Sequence, residues 1–161
     1  MTGARIELKS MGERLAKKRR GATPLPIRDG LNPTHARVPE GPITAWDFVR
    51  ELILTQRHRH PEDDDAALRS RFAAGEVVLQ DGTSLTPDSI LATNATIYFY
   101  RIPAPETPVP YDIPILYEDE HLLVVDKPPF MATMPRARHI TETATVRLRR
   151  GPGTCRHHRA A

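Results

Sequence analysis

Between Thr44 and Ile53 the apolar positions recur at helical spacing: Ala45, Phe48, Val49, Leu52 and Ile53 form one stripe, with Trp46 at its edge. Thr44 is a good N-cap type and Asp47 follows three residues later, so the pattern predicts a helix that starts at Thr44 and ends before Gln56. A second helix is expected from Asp63-Asp64-Asp65 to about Ala74. There the acids sit at the N-terminal dipole end, Leu68 and Phe72 share a face one turn apart, and Gly75 takes the left-handed position past the end. The pattern then changes to strands: Val77-Val78-Leu79, a hairpin turn at Asp81-Gly82, and the long run Thr96 to Ile102.

Further on, Ile113, Ile115 and Leu116 precede the acidic Glu118-Asp119-Glu120, and the chain returns as Leu122-Leu123-Val124-Val125. That predicts a tight hairpin. Its second strand is apolar on both faces, so it is expected to be buried on both sides, ending at Asp126-Lys127-Pro128-Pro129 because proline cannot donate to a ladder. A last helix is expected from Thr141 to Arg150. Helices and hairpins in this order make an α+β chain.

Proline and charge divide it further. Residues 1–22 form a basic extension ending in Lys17-Lys18-Arg19-Arg20, with too few apolar positions for a buried face, and disorder is expected there. Residues 23–42, with Pro24, Pro26, Pro33 and Pro39 before Gly41-Pro42, are expected to run extended and wrap the following domain. Residues 43–102 form a small module near the lower size limit for independent folding. Residues 103–112, with Pro103, Pro105, Pro108 and Pro110, read as a stiff linker, which places a boundary near residue 105. Residues 113–150 are too few to bury their own apolar strands, and residues 151–161 do not read as the continuation of a folded domain.

The net charge of +3 conceals an asymmetry. Residues 1–40 carry nine Lys/Arg against four Asp/Glu, residues 41–135 seven against fifteen, and residues 136–161 seven against one. Attraction to a phosphate backbone should therefore come from the two ends; the plain alternative is solvated termini. No apolar run is long enough for a membrane span or a secretory signal, so a cytoplasmic protein is expected, and the single Cys155 cannot form an internal disulfide. A monomer is expected.

Candidate chemistry is sparse. Asp126 beside Lys127 is more naturally a turn residue at a strand end than a catalytic acid. Lys127 suits either a structural role or a phosphate contact. Arg136, Arg138 and His139 cluster between Pro135 and Thr141, as RNA-phosphate ligands would. Cys155, His157 and His158 are three ligand-type side chains without a fourth, so no metal site is expected. His58 and His60 alternate with arginines as on a solvated loop, and Trp46, Tyr98 and Tyr100 are placed as core residues more than as base-stacking ones.

The segment Ile115-Leu116-Tyr117-Glu118-Asp119-Glu120, the apolar strand after it, Asp126-Lys127-Pro128, and then Met134-Pro135-Arg136-Ala137-Arg138-His139 before a helix resemble the RNA pseudouridine synthases of the ribosomal and transfer RNA branch. The phrase Pro24 to Leu31 is similar to a lead-in found in some members. Residues 43–102 resemble, more weakly, the RNA-binding module these enzymes share with a small-subunit ribosomal protein. With only Arg69 and Arg71 as cations on the second helix, degenerate and retained RNA binding both stay open. The resemblance implies that residues 113–150 open a mixed-sheet catalytic domain and that Lys127, Arg136, Arg138 and His139 face structured RNA. It also implies isomerisation of uridine to pseudouridine without a cofactor. The family's catalytic aspartate lies in a His-Arg-Leu-Asp motif, which this sequence does not contain. The chain is therefore expected to be inactive as it stands, an amino-terminal piece cut short near residue 150 by a shift of reading frame or a sequence error. A non-catalytic RNA-binding fragment is the main alternative, and an unstable truncated product with no role is the third reading.

Overall fold

A computed structural model describes residues 23–151. The disorder expected for residues 1–22, and the tail with Cys155, His157 and His158, lie outside them. The described part is α+β, with three helices and three small antiparallel sheets. In chain order the elements are β1 (Thr34–Arg37), β2 (Ile43–Thr44), α1 (Ala45–Leu54), α2 (Asp65–Ala73), β3 (Val77–Leu79), β4 (Ile90–Leu91), β5 (Thr96–Phe99), β6 (Ile115–Glu118), β7 (Leu123–Val125) and α3 (Ala144–Arg150).

The two central helices form where their caps lie. Thr44 Oγ1 accepts from Asp47 N at 3.0 Å and donates to the Asp47 carboxylate at 2.7 Å, while Ala45 N and Trp46 N donate to Ser89 O (2.8 Å) and Pro87 O (3.1 Å), so these free donors of the first turn of α1 have acceptors. In α2, Asp64 Oδ1 accepts from Ala66 N and Ala67 N, both at 2.9 Å. These two backbone donors hold the Asp64 carboxyl below the usual aspartate range. Past Ala73 the chain turns through Gly75 at φ 68°, whose N–H reaches Phe72 O, while Glu76 N reaches Arg71 O.

β5 lies in the middle of a three-stranded sheet, with β1 on one side (Thr34 opposite Phe99) and β3 on the other (Val77 opposite Phe99). Side chains alternate along it. Ile97 and Phe99, both fully buried, face α1 and α2 and pack with Phe48, Val49, Leu68, Phe72 and Val77 in the main core. Tyr98 and Tyr100 face the other way and are covered by Leu25. The proline-rich segment therefore does more than wrap: residues 34–37 supply an edge strand that hydropathy alone did not mark, because Thr-His-Ala-Arg has a half-buried alternation but no apolar run. The strand expected to run to Ile102 stops at Phe99, because Ile102 N–H is directed to Asp63 Oδ2 (3.4 Å) instead of to a neighbouring strand.

A buried ion pair locks this unit. Arg71 Nη2 donates to Asp63 Oδ1, and Asp63 is wholly buried. Arg71 is thus spent internally and is not one of the surface cations expected on the second helix.

The expectation for the hairpin holds for its turn and fails for its burial. β6 and β7 pair antiparallel, with Ile115 opposite Val125, Glu118 opposite Leu123, and a register shift between Ile115 and Tyr117. Asp119 closes the turn by accepting from His121 N and Leu122 N at 2.7 Å. Yet Leu122 is 54% exposed, Leu123 41% and Val124 38%. Among the described residues no further strand joins this sheet, so neither face of β7 is covered.

α3 begins at Ala144 and not at Thr141, with Thr143 as its cap. The reason is in the segment read as a linker. Glu106 Oε1 accepts from Ile140 N (2.7 Å), Thr141 N (2.6 Å) and Thr141 Oγ1 (3.1 Å), and Oε2 accepts from Glu142 N (3.2 Å). Those amides are held outside any helix. In return Glu142 accepts from Val109 N at 2.9 Å and Arg147 Nη1 donates to Val109 O at 3.0 Å. Residues 106–109 are therefore fastened along the approach to α3.

Candidate nucleic-acid interface

The residues expected to meet RNA are placed in two separate spots. Lys127 is half-buried, and its ammonium donates to Pro128 O (3.0 Å) and Met131 O (2.8 Å), so it shapes the loop after β7. Arg136 and His139 exchange backbone hydrogen bonds (2.7 and 3.0 Å) around Ala137 at φ 54°, a tight turn that leaves Arg136, Arg138 and His139 exposed together. Arg138 Nε approaches His139 Nε2 at 3.3 Å. This turn can present positive charge to a phosphate. Of the aromatic residues read as core, Tyr100 is buried with its hydroxyl donating to Pro26 O at 2.8 Å, while Trp46, its ring centroid 6.2 Å from that of Phe72, and Tyr98 are half-buried against the core clusters.

A concave region is lined in part by residues of the Pro24–Leu31 and Met134–His139 phrases and in part by residues that no motif marked. It is an open cleft of ≈ 1560 Å³ between residues 28–34, the loop 56–58 after α1, residues 100–104 after β5, and the C-terminal end of α3. One wall begins as a two-residue turn in which Arg28 and Leu31 exchange backbone hydrogen bonds (3.0 and 2.9 Å) around Asp29 and Gly30, both at positive φ. Gly30 is required there: at φ +77° a Cβ would lie 2.5 Å from Val146 O. The close approach lets Arg149 Nη1 reach Gly30 O (3.3 Å) and Arg150 Nε reach Asp29 O (2.9 Å), so the basic end of α3 is fixed against this turn. Arg147, Arg149 and Arg150 also lie at the helix end whose dipole favours cations.

Arg28 stacks over Tyr100, 3.8 Å from the ring centroid, and its guanidinium binds both carboxylate oxygens of Glu76. The Arg28 hydrogen bond holds the Glu76 carboxyl below the usual glutamate range. A depressed folded-state pKa means that the stabilisation is present above the unfolded value, about 4.3, and is lost as pH falls through the lower folded value. Arg28 is about half exposed (49%), so the pair is worth at most about 1 kcal/mol. Thermal melts of Glu76→Gln and the parent should differ at neutral pH and converge on acidification below that window; a constant difference down to pH 2 would contradict this origin.

Arg57, His58 and Arg101 also line the cleft. Arg57 and His58 are exposed and have no hydrogen bond among the described residues. Arg101 is half-buried; its Nε, like Gln56 Nε2, is buried without a hydrogen-bond partner there. Burial pushes the Arg101 pKa down, with Asp63 opposing the shift. Among the described residues no group of three or more His, Cys, Asp or Glu could hold a metal, and no helix is long and apolar enough to cross a membrane.

Comparison with known proteins agrees with the resemblance carried by the hairpin motif. Over 97 residues, 60% of this chain and 32% of the relative, the sequence is 28% identical to an uncharacterized RNA pseudouridine synthase of Synechocystis sp.. Over 78 residues, 48% of this chain, it is 24% identical to RNA pseudouridine synthase 5 of Oryza sativa subsp. japonica and of Arabidopsis thaliana, covering 20% and 21% of those proteins. Part of this chain resembles RNA pseudouridine synthases. The matches span about a third or less of the synthases' own length. No family model matches the chain, and no solved structure matches it.

Proposed function

We propose that this chain carries part of an RNA pseudouridine synthase acting on uridine in structured ribosomal or transfer RNA. We also propose that the 161 residues do not catalyse the isomerisation by themselves. The observation that carries the reading is that three relatives, from a cyanobacterium and two plants, match over about half of the chain or more and bear the same enzyme name. The local motif supports it, since the Tyr-Glu-Asp-Glu turn and the Asp-Lys-Pro strand end form a real hairpin. Within this reading residues 43–102 form a small module that helps hold RNA, residues 113–150 open the catalytic domain, and Arg136, Arg138 and His139 contact phosphates. Lys127 acts on RNA only indirectly, by ordering the loop after β7. A target uridine has to be taken out of its stack into an enclosed pocket, and the exposed hairpin encloses none.

The test is to read the gene through the codons for Arg150 to Ala161 and beyond, then assay the encoded protein on ribosomal and transfer RNA by chemical mapping of pseudouridine. A frame containing His-Arg-Leu-Asp, with activity that its Asp→Asn variant loses and the 161-residue chain lacks, is the expected result. Stop codons in all downstream frames without that motif would remove the enzyme reading. RNA binding without catalysis would then be the surviving function.

A further inference from the structure

We infer that the cleft between the 28–34 turn, the 56–58 loop and the end of α3 is a groove for the sugar–phosphate backbone of a single-stranded RNA segment. In it Arg57 and Arg101 contact phosphates from one wall and Arg149 and Arg150 from the other. This rests on the RNA reading above and goes beyond it, because none of Lys127, Arg136, Arg138 and His139 lines the cleft.

Three observations carry it. The first is charge. The lining holds six arginines against three acids, in a chain whose central stretch is acidic overall. Arg28 is paired with Glu76 and Arg147 with Glu142, which leaves Arg57, Arg101, Arg149 and Arg150 against Asp29 and Asp112, the acids a phosphate must avoid. The second is what the arginines already bind. Arg149 and Arg150 donate to neutral carbonyls, which orient them without cancelling their charge, and Arg57 has no partner among the described residues. The third is unmet hydrogen bonding. Arg101 Nε and Gln56 Nε2 are buried without partners, a cost that an anionic oxygen entering the cleft would relieve.

The occupant follows from the same facts. Several cations spread over an open cleft suit a repeated charge, as in a phosphodiester chain, better than one compact anion. Tyr100 is capped by Arg28 and bonded to Pro26, so it offers no face for stacking, and recognition is of the backbone and independent of sequence. Arg101 is half-buried, so its phosphate partner has to come into the cleft, which a flexible single strand does more readily than a paired helix.

The test uses the full chain and a 20-nucleotide oligouridylate, with affinity measured between 50 and 300 mM salt. Arg57→Gln/Arg149→Gln removes one cation from each wall. Arg37→Gln/Arg59→Gln, at exposed arginines outside the cleft, removes the same net charge. For single strands each lost phosphate contact should lower the salt slope by about 0.7, so the cleft variant should lose about 1.4 in slope and about 25-fold in affinity near 0.1 M salt. The control should lose less than threefold, with unchanged circular dichroism in both. Equal losses in the two variants, or none in the cleft variant while the parent still binds, would overturn the groove and leave the RNA reading standing. Failure of the parent to bind overturns the groove as well, and the family reading is then decided separately by the pseudouridine assay.

Discussion

Asp63→Asn is expected to destabilise the small module by about 3–5 kcal/mol, the usual cost of removing one partner from a buried ion pair. The cause is what remains behind. Arg71 is 6% exposed and already has one nitrogen, Nη1, without a partner, while Arg101 is half-buried nearby and depends on the same acid. Removing the Asp63 charge leaves two desolvated cations with no acid between them, and Ile102 N–H keeps only a neutral acceptor. Domains of this size are stable by about 5–15 kcal/mol, so a large share is lost. Urea denaturation followed by Trp46 fluorescence would show a lower midpoint with an unchanged slope. Replacing both partners, Asp63→Leu with Arg71→Met, should recover most of the loss, because it removes the stranded charge as well. An unfolding free energy within about 1 kcal/mol of the parent for Asp63→Asn alone would refute this account.

Glu106→Ala should cost about 2–4 kcal/mol and leave the module untouched. Hydrogen bonds to a charged group are worth about 1.5–3 kcal/mol each and do not add in full, and here three amides and a hydroxyl lose one shared acceptor. The loss is local. Amide hydrogens of Ile140, Thr141 and Glu142 should exchange faster and proteolysis should begin within residues 103–112, while those of β5 keep their protection. Faster exchange throughout β5 would mean that the two regions unfold together and that the clasp is not a separate unit.

These two sites mark the limit of what was legible in the sequence. The cap at Thr44, the acidic start of α2, the apolar stripe of α1, the glycine after α2 and the acidic hairpin turn are local features, each set within four residues, and each was readable. Asp63 appeared as one of three equivalent cap acids, because nothing local shows that its carboxylate turns inward toward Arg71 and Ile102. Glu106 sits among prolines and reads as a spacer. Its meaning lies 34 to 36 residues away, where it sets the start of α3 at Ala144. β1 was missed for a related reason, since a short edge strand takes its stability from pairing with β5 and not from its own hydropathy. The hairpin β6–β7 failed in the opposite sense. Its composition demands burial, but burial depends on other strands. Of the candidate interface, the exposed Arg136–His139 turn was legible as a local cluster, whereas the cleft arginines come from four distant stretches that only the fold brings together.

The bond from Arg150 Nε to Asp29 O closes a loop of 121 residues. Its entropic cost grows only slowly with length, but no part of that contact exists until nearly all the described chain has been synthesised. The sheet around β5 needs residues no later than Phe99, so it can assemble well before α3 arrives. The module therefore acts as a template on which the second wall of the cleft is laid. On a ribosome emitting the chain from its amino terminus, the groove is the last feature to appear.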